Sequence, residues 1–348
     1  TKQILKLQKS HINIYRSMNL FPTGTHRVIN KISPDIVQMH WINTNTISIG
    51  EITKIKAPVV WKLPDMWAFC GTEHYVDESN VKRYREGYTK NNRHKNDKGV
   101  DIDRMVWQYK KLRWRNYRMK IVCPSKWLAS RARESELFKN YKIVNIMNPL
   151  DIELFKPSGD RSIRKKFGLP ESKKIILFGS LLAIDDRRKG YHHLLKSISH
   201  LEKLGLMTQV ELAIFGTESV KKEMLGAFIS HHLGTIRNES DLASLYASCD
   251  VLVLPTEADN LPNVVKEAMA CGTPCVGFNI GGMPDMITHE LDGYLASPFD
   301  SDDLVNGILW VLSQPHEIRQ RVRESAILNH DPAARVNDYL SLYEQVLN

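Results

Sequence analysis

Hydrophobic and polar positions along the chain form short apolar runs that are separated by turns and by stretches with helical periodicity. In the first half, four apolar runs have the length and composition of buried strands: 34–42, 57–63, 119–125 and 141–149. Helical stretches such as SKWLASRARESELF lie between them. This alternation predicts an α/β domain whose mostly parallel sheet has helices on both faces.

The same alternation restarts in the second half, after a stretch around residue 157 that is rich in Pro, Gly and charge. The predicted strands are KIILFGS, QVELAIFG, HHLGTI, DVLVLPT and TPCVGF, and the predicted helices are KGYHHLLKSISHLEKLG, VKKEMLGAFIS, ESDLASLYASC and NVVKEAMACG. We therefore expect domains at 1–157 and 158–330, with a C-terminal helix at 331–348 that packs back on the first domain. The first eighteen residues also have a helix-like pattern.

Composition places the chain among globular proteins of two domains. It has 348 residues, of which 42% are hydrophobic and 25% charged. No apolar run is long enough to cross a bilayer, and the start lacks a signal-peptide pattern. The five cysteines are scattered, which indicates buried thiols in a reducing compartment. No His or second Cys pair joins Cys271 and Cys275, so we expect no metal site there.

The net charge of +9 is concentrated in residues 82–120, here called the basic segment. It contains fourteen Lys and Arg against four Asp and Glu. Such a block attracts an anionic partner: nucleic acid, an acidic bilayer or a phosphorylated substrate. The alternative is a solvated helix face, since apolar residues from Ile102 to Leu112 recur at helical spacing and one side must be core.

Candidate ligand-binding residues follow the first strand of the second half. Arg187, Arg188 and Lys189 precede Gly190 at the predicted start of a helix. The free N–H groups and positive dipole end of a helix N-terminus, with cations beside them, suit a pyrophosphate. A solvated basic loop is the alternative interpretation.

Further polar groups follow two later strands. Asp259 and Glu267 have seven residues between them, and Glu267 falls about one turn into a helix, where a carboxylate suits a ribose diol. Gly281 and Gly282 allow close approach of the backbone to a ligand. Taken singly, these features also fit a helix-flanking turn, a solvated carboxylate and a simple turn. Together they gather at the carboxyl ends of successive strands, where open α/β sheets bind ligands.

Residues 234–297 resemble the donor-binding half of the retaining GT-B glycosyltransferases of family 4, also called group 1. The family's Glu-x7-Glu motif reads Asp259-x7-Glu267 here, in the DNLPN context of one subgroup. FGSLLAIDDRRKGYHHLL resembles the family's diphosphate loop, and PDIVQMHWIN, PVVWKLPDMWAFCG, CPSKWLASRARES and NPLDIELFKP resemble its acceptor domain. The resemblance covers nearly the whole chain and implies two Rossmann-like domains that face each other across a cleft.

The resemblance also implies a role for each candidate residue. Lys189 and Arg188 would bind the donor diphosphate, Glu267 the ribose, and Asp259 with the Asn260–Leu261 backbone the transferred sugar. The base would lie against the turn that includes Gly234, Ile236 and Arg237, and Gly281 and Gly282 would line the far side. No metal or cofactor is expected, because cations and helix dipoles neutralise the leaving nucleoside diphosphate. Retention by same-face attack needs no protein nucleophile.

Three departures from the family pattern bear on activity. Relatives commonly read Leu-His-Asp where this chain has Leu63-Pro64-Asp65, and that His faces the transferred sugar. His74 is a candidate replacement, with a structural role as the alternative. Ser180 stands near the position of a family Arg, for which Arg188 would substitute. The family's opening strand and Gly loop have no counterpart in the sequence, so we expect the sequence to be a fragment, with a degraded first domain as the alternative.

These observations favour a retaining transferase that moves sugar from a nucleoside-diphosphate sugar to a glycan or polyprenyl-pyrophosphate-linked acceptor in cell-surface polysaccharide biosynthesis. The protein would be cytoplasmic, with the basic segment on the anionic inner face of the membrane. The alternatives are a non-catalytic sugar-nucleotide binder and a GT-B epimerase or phosphorylase. Nucleic-acid binding through the basic segment ranks last, because it leaves the donor-type loops unexplained.

Overall fold

The computed structural model describes residues 2–11, 14–76, 81–179, 187–216 and 220–348. It divides into two compact units. The first unit comprises Thr1–Met147 and Asn337–Asn348, and the second comprises Asn148–Val336. Each unit contains a sheet of mostly parallel strands with helices, so the predicted α/β class is confirmed.

The first unit contains a four-stranded sheet in the order β2-β3-β5-β6, in which every neighbouring pair is parallel. The short strands β1 and β4 form a separate antiparallel pair. The strands are β1 (Gln8–Lys9), β2 (Val37–Met39), β3 (Val59–Lys62), β4 (Lys98–Gly99), β5 (Met119–Cys123) and β6 (Ile143–Asn145). The helices are α1 (Lys2–Leu5), α2 (Thr25–Ile32), α3 (Ile49–Ile52), α4 (Val81–Glu86), α5 (Ile102–Trp114) and α6 (Lys126–Glu134).

The second unit contains a seven-stranded sheet in the order β13-β12-β11-β7-β8-β10-β9. Only the edge strand β9 runs antiparallel to its neighbour. The strands are β7 (Lys174–Gly179), β8 (Val210–Phe215), β9 (Val220–Leu225), β10 (Phe228–Leu233), β11 (Val251–Leu254), β12 (Cys275–Phe278) and β13 (Gly293–Ala296). The helices are α7 (Tyr191–Lys203), α8 (Glu239–Ser248), α9 (Asn263–Ala270), α10 (Ser301–Ser313), α11 (Ile318–His330) and α12 (Pro332–Leu347).

Alternate residues of the central strands face the two sides of each sheet, as the period of two in a strand requires. In β11, Leu252 and Leu254 pack into a core with α8, α9 and α11, whereas Val251 and Val253 pack into a second core with α7 and α10. Because both faces are covered, the strands read as continuous apolar runs in the sequence. With β9 set aside, the strand order is that of a doubly wound Rossmann sheet.

Residues 337–348 complete the first unit. Leu342 is buried against Val60, Val122 and Ile146 on one face of the four-stranded sheet, with Tyr339 and Tyr343 packed around it. The opposite face of the same sheet packs Trp61 and Ile121 into the larger core. The last turns of α12 therefore cover a sheet face that would otherwise expose its apolar side chains.

The segment VKKEMLGAFIS is a β-hairpin, and the helix predicted for it is wrong. β9 ends at Leu225, and Gly226 turns the chain in the left-handed region at φ 61° into β10. Val220, Met224 and Phe228 recur every four residues, which suggested a helix. However, β9 takes an edge position in which its two consecutive lysines are exposed, and β10 pairs with β8 in the sheet. The sheet context overrides the local pattern.

The helix-like start of the chain is also mostly not helical. α1 ends at Leu5, and Gln8 and Lys9 pair with β4 instead. The Gln8 side chain accepts a hydrogen bond from the Ile102 backbone N–H at 2.7 Å and donates to Asp103. Partners almost a hundred residues away thus fix this segment, and no local sequence pattern contains them.

All five cysteines are buried and unpaired with one another, as the apolar sequence around them predicted. Burial raises the pKa of the Cys249 and Cys271 thiols to about 12. A thiol held neutral in this way is a packing group rather than a nucleophile.

Candidate functional site

The candidate site lies where the winding of the second sheet reverses. β7 and β11 are neighbours in the sheet, but α7 follows β7 on one face and α9 follows β11 on the other. The loops that leave two such strands diverge and open a crevice at their carboxyl ends, the usual ligand position in open α/β sheets. The predicted diphosphate loop follows β7, and the Asp259-x7-Glu267 motif follows β11.

The end of the diphosphate loop is a short 3-10 turn, Arg187–Lys189, that leads into α7 through Gly190. Gly190 has a φ of 76°. A Cβ at this residue would lie 1.8 Å from the carbonyl oxygen of Pro255, which follows β11. Only glycine therefore allows the two loops to approach so closely. Ser180 and the rest of residues 180–186 lie outside the described residues.

Side chains from both loops converge on Asp259. Lys189 Nζ lies 2.9 Å from Asp259 Oδ2, and Arg188 Nη1 lies 3.5 Å from the same oxygen. Arg188 Nη1 also donates to the Ala258 carbonyl at 2.8 Å. The Glu257 backbone N–H and the Thr256 hydroxyl both donate to the Arg188 carbonyl, at 2.8 and 2.9 Å. The structure therefore brings together three of the sequence-predicted site residues.

The Gly281–Gly282 turn contacts the same loop. The Gly282 N–H donates to the Asp259 carbonyl at 3.2 Å, and a Cβ at Gly281 would lie 2.0 Å from that oxygen. Gly281 has a φ of 55°. The close approach that glycine allows here is thus to the backbone of Asp259. The turn holds the loop after β11 in place, and Asn260 and Leu261 in that loop are buried.

Glu267 lies on the second turn of α9, which begins at Asn263. Its Oε2 accepts a hydrogen bond from the Tyr246 hydroxyl of α8 at 3.1 Å. Burial raises the pKa of Glu267 above its ordinary value, although the Tyr246 hydrogen bond and the nearby Lys266 oppose the shift. Sequence reasoning missed Tyr246, because its position twenty-one residues before Glu267 has no local signature.

Among the described residues, no side chain caps the N-terminus of α7 or of α9. Gly190 and Pro262 occupy the cap positions. The first backbone N–H groups of a helix have no partner within the helix. An anion at either end would meet these groups together with the positive end of the helix dipole.

The predicted base-binding turn follows β10, at the same edge of the sheet. Gly234 has a φ of 65°, and its carbonyl accepts from the Gly216 N–H at 2.8 Å, which joins this turn to the end of β8. Ile236 is half-buried against the core around α8, whereas Arg237 is exposed. The turn thus presents an apolar group and a cation side by side, a combination that suits a heterocyclic base.

His74 lies in the first unit, where it is buried and bound on both ring nitrogens. Nδ1 is 2.6 Å from Asp65 Oδ2, and Nε2 is 2.9 Å from the Ser17 hydroxyl. The ring also stacks near Trp67, whose indole N–H donates to the Ser17 carbonyl at 2.7 Å. These contacts support the structural alternative for His74, since its hydrogen-bonding capacity is already used.

The basic segment is less exposed than its composition indicated. Lys110 is fully buried and donates to the carbonyls of Trp67, Cys70 and Gly71, and its ammonium group lies 3.6 Å from the centre of the Trp67 ring. Arg83 is buried and pairs with Asp101 at 2.6 Å. Part of the predicted positive surface is therefore interior structure, and Lys82, Lys90, Lys95, Arg115 and Arg118 are among its exposed members.

No described helix combines the length and the apolar composition that a membrane span requires.

Comparison with known proteins identifies a family domain in the second unit. Residues 159–328 match the family model described as glycosyl transferases group 1. The chain is 26% identical over 220 residues to the N-acetyl-alpha-D-glucosaminyl L-malate synthase of Bacillus anthracis. The aligned region covers 61% of this chain and 56% of that protein. It is 31% identical over 186 residues to a sulfoquinovosyl transferase of Arabidopsis thaliana. That aligned region covers 51% of this chain and 34% of that protein. The chain thus spans about half the length, or less, of these relatives.

Solved structures show the fold. The sucrose-phosphate synthase of Thermosynechococcus elongatus superimposes with a TM-score of 0.70 at 19% identity, over 92% of this chain and 75% of that one. Anabaena HepE in complex with UDP-glucose gives a TM-score of 0.64 at 17% identity, over 92% and 82%. The predicted GT-B fold, with two Rossmann-like units, is confirmed.

Proposed function

Because residues 159–328 match the glycosyl transferases group 1 model, we propose that the chain transfers a sugar from a nucleoside-diphosphate sugar to an acceptor hydroxyl. One observation carries the proposal: Lys189 and Arg188, which follow β7, meet Asp259, which follows β11, at the switch point of the sheet. A second line of support comes from Anabaena HepE, whose structures hold UDP and UDP-glucose.

The diphosphate would bind at the N-terminus of α7, between Arg188 and Lys189. In the structure, the Lys189 ammonium group is neutralised by Asp259 at 2.9 Å. A bound diphosphate would supply stronger charge-assisted acceptors, so Lys189 would move to the phosphate oxygens. This exchange would release the Asp259 carboxylate to accept hydrogen bonds from the hydroxyl groups of the transferred sugar, beside the Asn260–Leu261 backbone.

The nucleoside would extend towards α8 and α9. Glu267 would accept hydrogen bonds from both ribose hydroxyl groups. The Tyr246 hydroxyl, 3.1 Å from Glu267 Oε2, would hold the carboxylate in position. The Gly234–Arg237 turn would contact the base. Burial of Glu267 raises its pKa, and two new hydroxyl donors to the carboxylate would restore the ionised form.

In the reaction, the bond between the anomeric carbon and the diphosphate oxygen breaks, and the acceptor oxygen bonds to the same face of the sugar. The leaving phosphate takes the acceptor proton. Arg188, Lys189 and the α7 dipole neutralise the charge that develops on the leaving group, which is the principal contribution expected of the protein. We propose that this chemistry needs no metal.

For the acceptor, we propose a glycan or a polyprenyl-pyrophosphate-linked oligosaccharide of a cell-surface polysaccharide. The exposed cations of the basic segment support an anionic partner such as the inner face of the membrane. The protein would then work in the cytoplasm, peripherally bound.

A thermal-shift panel of UDP-, GDP-, dTDP- and ADP-sugars tests the donor assignment. We expect one nucleotide to raise the melting temperature of the wild type and to leave Glu267→Gln unshifted. The same substitution removes a buried charge, so the unliganded variant should melt no lower than the wild type. Glu324→Gln on the exposed face of α11 serves as the control and should respond like the wild type.

The panel separates binding from transfer. If no nucleotide sugar shifts the wild type, or if Glu267→Gln responds fully, the donor site is wrong. If the donor binds but neither transfer to an oligosaccharide acceptor nor donor hydrolysis follows, the proposal of catalysis fails and the chain is a sugar-nucleotide binder.

A further inference from the structure

Two histidines and a glutamate form a cluster beside the donor site to which the proposed reaction gives no role. His192 and His193 lie in the first turn of α7, and Glu257 lies in the loop that follows β11. His192 Nε2 lies 3.0 Å from Glu257 Oε1, and His193 Nε2 lies 3.4 Å from the same oxygen. One ligand atom from each residue falls within 4.8 Å of the others.

These separations match those between the ligands of a bound metal ion. Zn²⁺ binds His nitrogen and carboxylate oxygen at about 2.0–2.2 Å, so tetrahedral ligand atoms lie about 3.3 Å apart. Two His nitrogens with one carboxylate oxygen are the donor set of zinc sites that keep one position open for water. His192 and Glu257 are partly exposed, which gives an ion access.

His193 supplies the independent observation. Its side chain is only 7% exposed, and its Nε2 faces Glu257 Oε1 at 3.4 Å without forming a hydrogen bond to it or to any other described residue. A buried polar atom without a partner costs free energy, and natural proteins seldom leave one so. A metal ion between His193 Nε2 and the Glu257 carboxylate would satisfy both groups.

The surroundings of His193 hold its ring in the orientation that a metal needs. The Ser301 hydroxyl lies 3.3 Å from Nδ1, on the side of the ring away from Glu257. The ring packs edge-on against Phe278, with centroids 4.9 Å apart, and lies near Phe299. A ligating His commonly has such a partner on its second nitrogen, which fixes the tautomer.

We propose that His192, His193 and Glu257 bind a divalent transition-metal ion of the zinc class. The mixed nitrogen and oxygen donors favour Zn²⁺, Co²⁺ or Ni²⁺ over Mg²⁺ and Ca²⁺, which prefer oxygen ligands alone. The ion would join the first turn of α7, which directly follows the turn that contains Lys189, to the loop after β11, which contains Asp259. It would therefore stabilise the donor site without taking part in the reaction.

A second group, His11, His94 and Asp97 in the first unit, is a competing candidate among the described residues. There the His11 backbone N–H and Nδ1 both approach Asp97 Oδ1, at 2.8 and 2.7 Å. The His11 and His94 rings stack face to face at 3.5 Å, so their nitrogens point along parallel planes instead of converging on one point. The cluster beside the donor site is thus the better metal site.

Metal binding to the full chain without an affinity tag tests the proposal. Zn²⁺ affinity is measured by competition with a chromophoric chelator, and Co²⁺ coordination by its visible absorption. We expect one ion per chain, unaffected by excess Mg²⁺. His192→Ala, His193→Ala and Glu257→Gln should each weaken Zn²⁺ binding by at least about tenfold, and Ser301→Ala by about tenfold. The control variants His200→Ala, on the same helix, and His94→Ala should bind like the wild type.

Circular dichroism checks that the variants fold. If His193→Ala does not fold, Glu257→Gln still tests the proposal, because the Glu257 side chain is partly exposed. Wild-type affinity in Glu257→Gln, or loss of the ion in His94→Ala, overturns the proposal, as does the absence of binding by the wild type. The experiment uses no sugar nucleotide, so a negative result leaves the proposed donor site untouched.

Discussion

At the scale of single residues, the carboxylate of Glu51 shows how one buried charge can organise a loop. It accepts hydrogen bonds from the backbone N–H groups of Thr23, Gly24 and Ser48, and from the Ser48 hydroxyl at 2.8 Å. His26 Nδ1 lies 2.8 Å away. Burial opposes ionisation, but the hydrogen bonds from Thr23, His26 and Ser48 outweigh it and hold the pKa of Glu51 well below its ordinary value.

Glu51→Gln should therefore destabilise the protein. We expect a loss of about 2–3 kcal/mol in the free energy of unfolding at neutral pH, since hydrogen bonds to a buried charge are lost or weakened. The depressed pKa stabilises the fold above the unfolded pKa of about 4.5, and this stabilisation disappears as the pH falls. The difference between wild type and variant should thus shrink below a pH of about 4.5, as urea titrations across this range would measure.

Glu153→Gln is the matched control, because Glu153 is exposed and only approaches Lys156 at 3.7 Å. Its effect should stay within about 0.5 kcal/mol at every pH. An equal loss in both variants, or a Glu51 effect that does not depend on pH, would contradict the account.

Contacts between residues of the donor site could be predicted from the sequence only where the ends of neighbouring strands bring those residues together. Lys189 and Asp259 lie in the loops that follow two adjacent parallel strands, β7 and β11, so the sheet topology places both loops at one edge. Tyr246 reaches Glu267 through the packing of α8 on α9, and His193 reaches Glu257 through the exact start of α7. Side-chain directions of this kind depend on helix phase and packing, which the pattern of apolar residues does not determine.

At the scale of elements, Gly190 joins α7 to the loop after β11. Gly190→Ala should lower the free energy of unfolding by more than the roughly 1 kcal/mol that left-handed backbone costs another residue, because its Cβ would collide with the Pro255 carbonyl. It should also weaken nucleotide-sugar binding, since the collision separates Lys189 from Asp259. Chemical denaturation and ligand-induced thermal shifts measure the two effects.

Gly168→Ala isolates the backbone contribution. Gly168 has a φ of 64°, close to that of Gly190, but a Cβ there would meet no atom of the described residues within 4 Å. This variant should lose about 1 kcal/mol and bind the donor normally. If the two variants behaved alike, the close approach of the loops would have no energetic importance.

The sequence predicts best those strands whose two faces are both covered by the core. The four strands of the first sheet and β7, β8, β11 and β12 were all found, because buried parallel strands are continuous apolar runs. β9, the first half of β10 and the start of the chain were assigned to helices instead, and β13 was not predicted. In β9 and at the start of the chain, pairing with β10 and β4 decides the conformation, and local periodicity does not.

At the scale of the whole molecule, Leu342 is the anchor of the last helical turns on the first unit. Leu342→Ala should cost about 2–4 kcal/mol, the usual range for a buried leucine whose site cannot collapse. Six of the seven tryptophans belong to the first unit, so tryptophan fluorescence during denaturation reports mainly on that unit.

Leu340→Ala provides the comparison, since Leu340 is 52% exposed on the same helix. It should change the unfolding free energy by no more than about 0.5 kcal/mol. A Leu342 variant as stable as this control would show that residues 337–348 contribute little to the first unit.

The return of residues 337–348 to the first unit has a consequence for biosynthesis. A ribosome makes Val60, Val122 and Ile146 early, but Leu342 emerges only after every residue of the second unit has been translated. The second unit has all its residues available before the first unit does, and domains fold as units during synthesis. One apolar face of the four-stranded sheet therefore stays uncovered while the second unit is translated, and this interval is when the nascent chain would most need a chaperone.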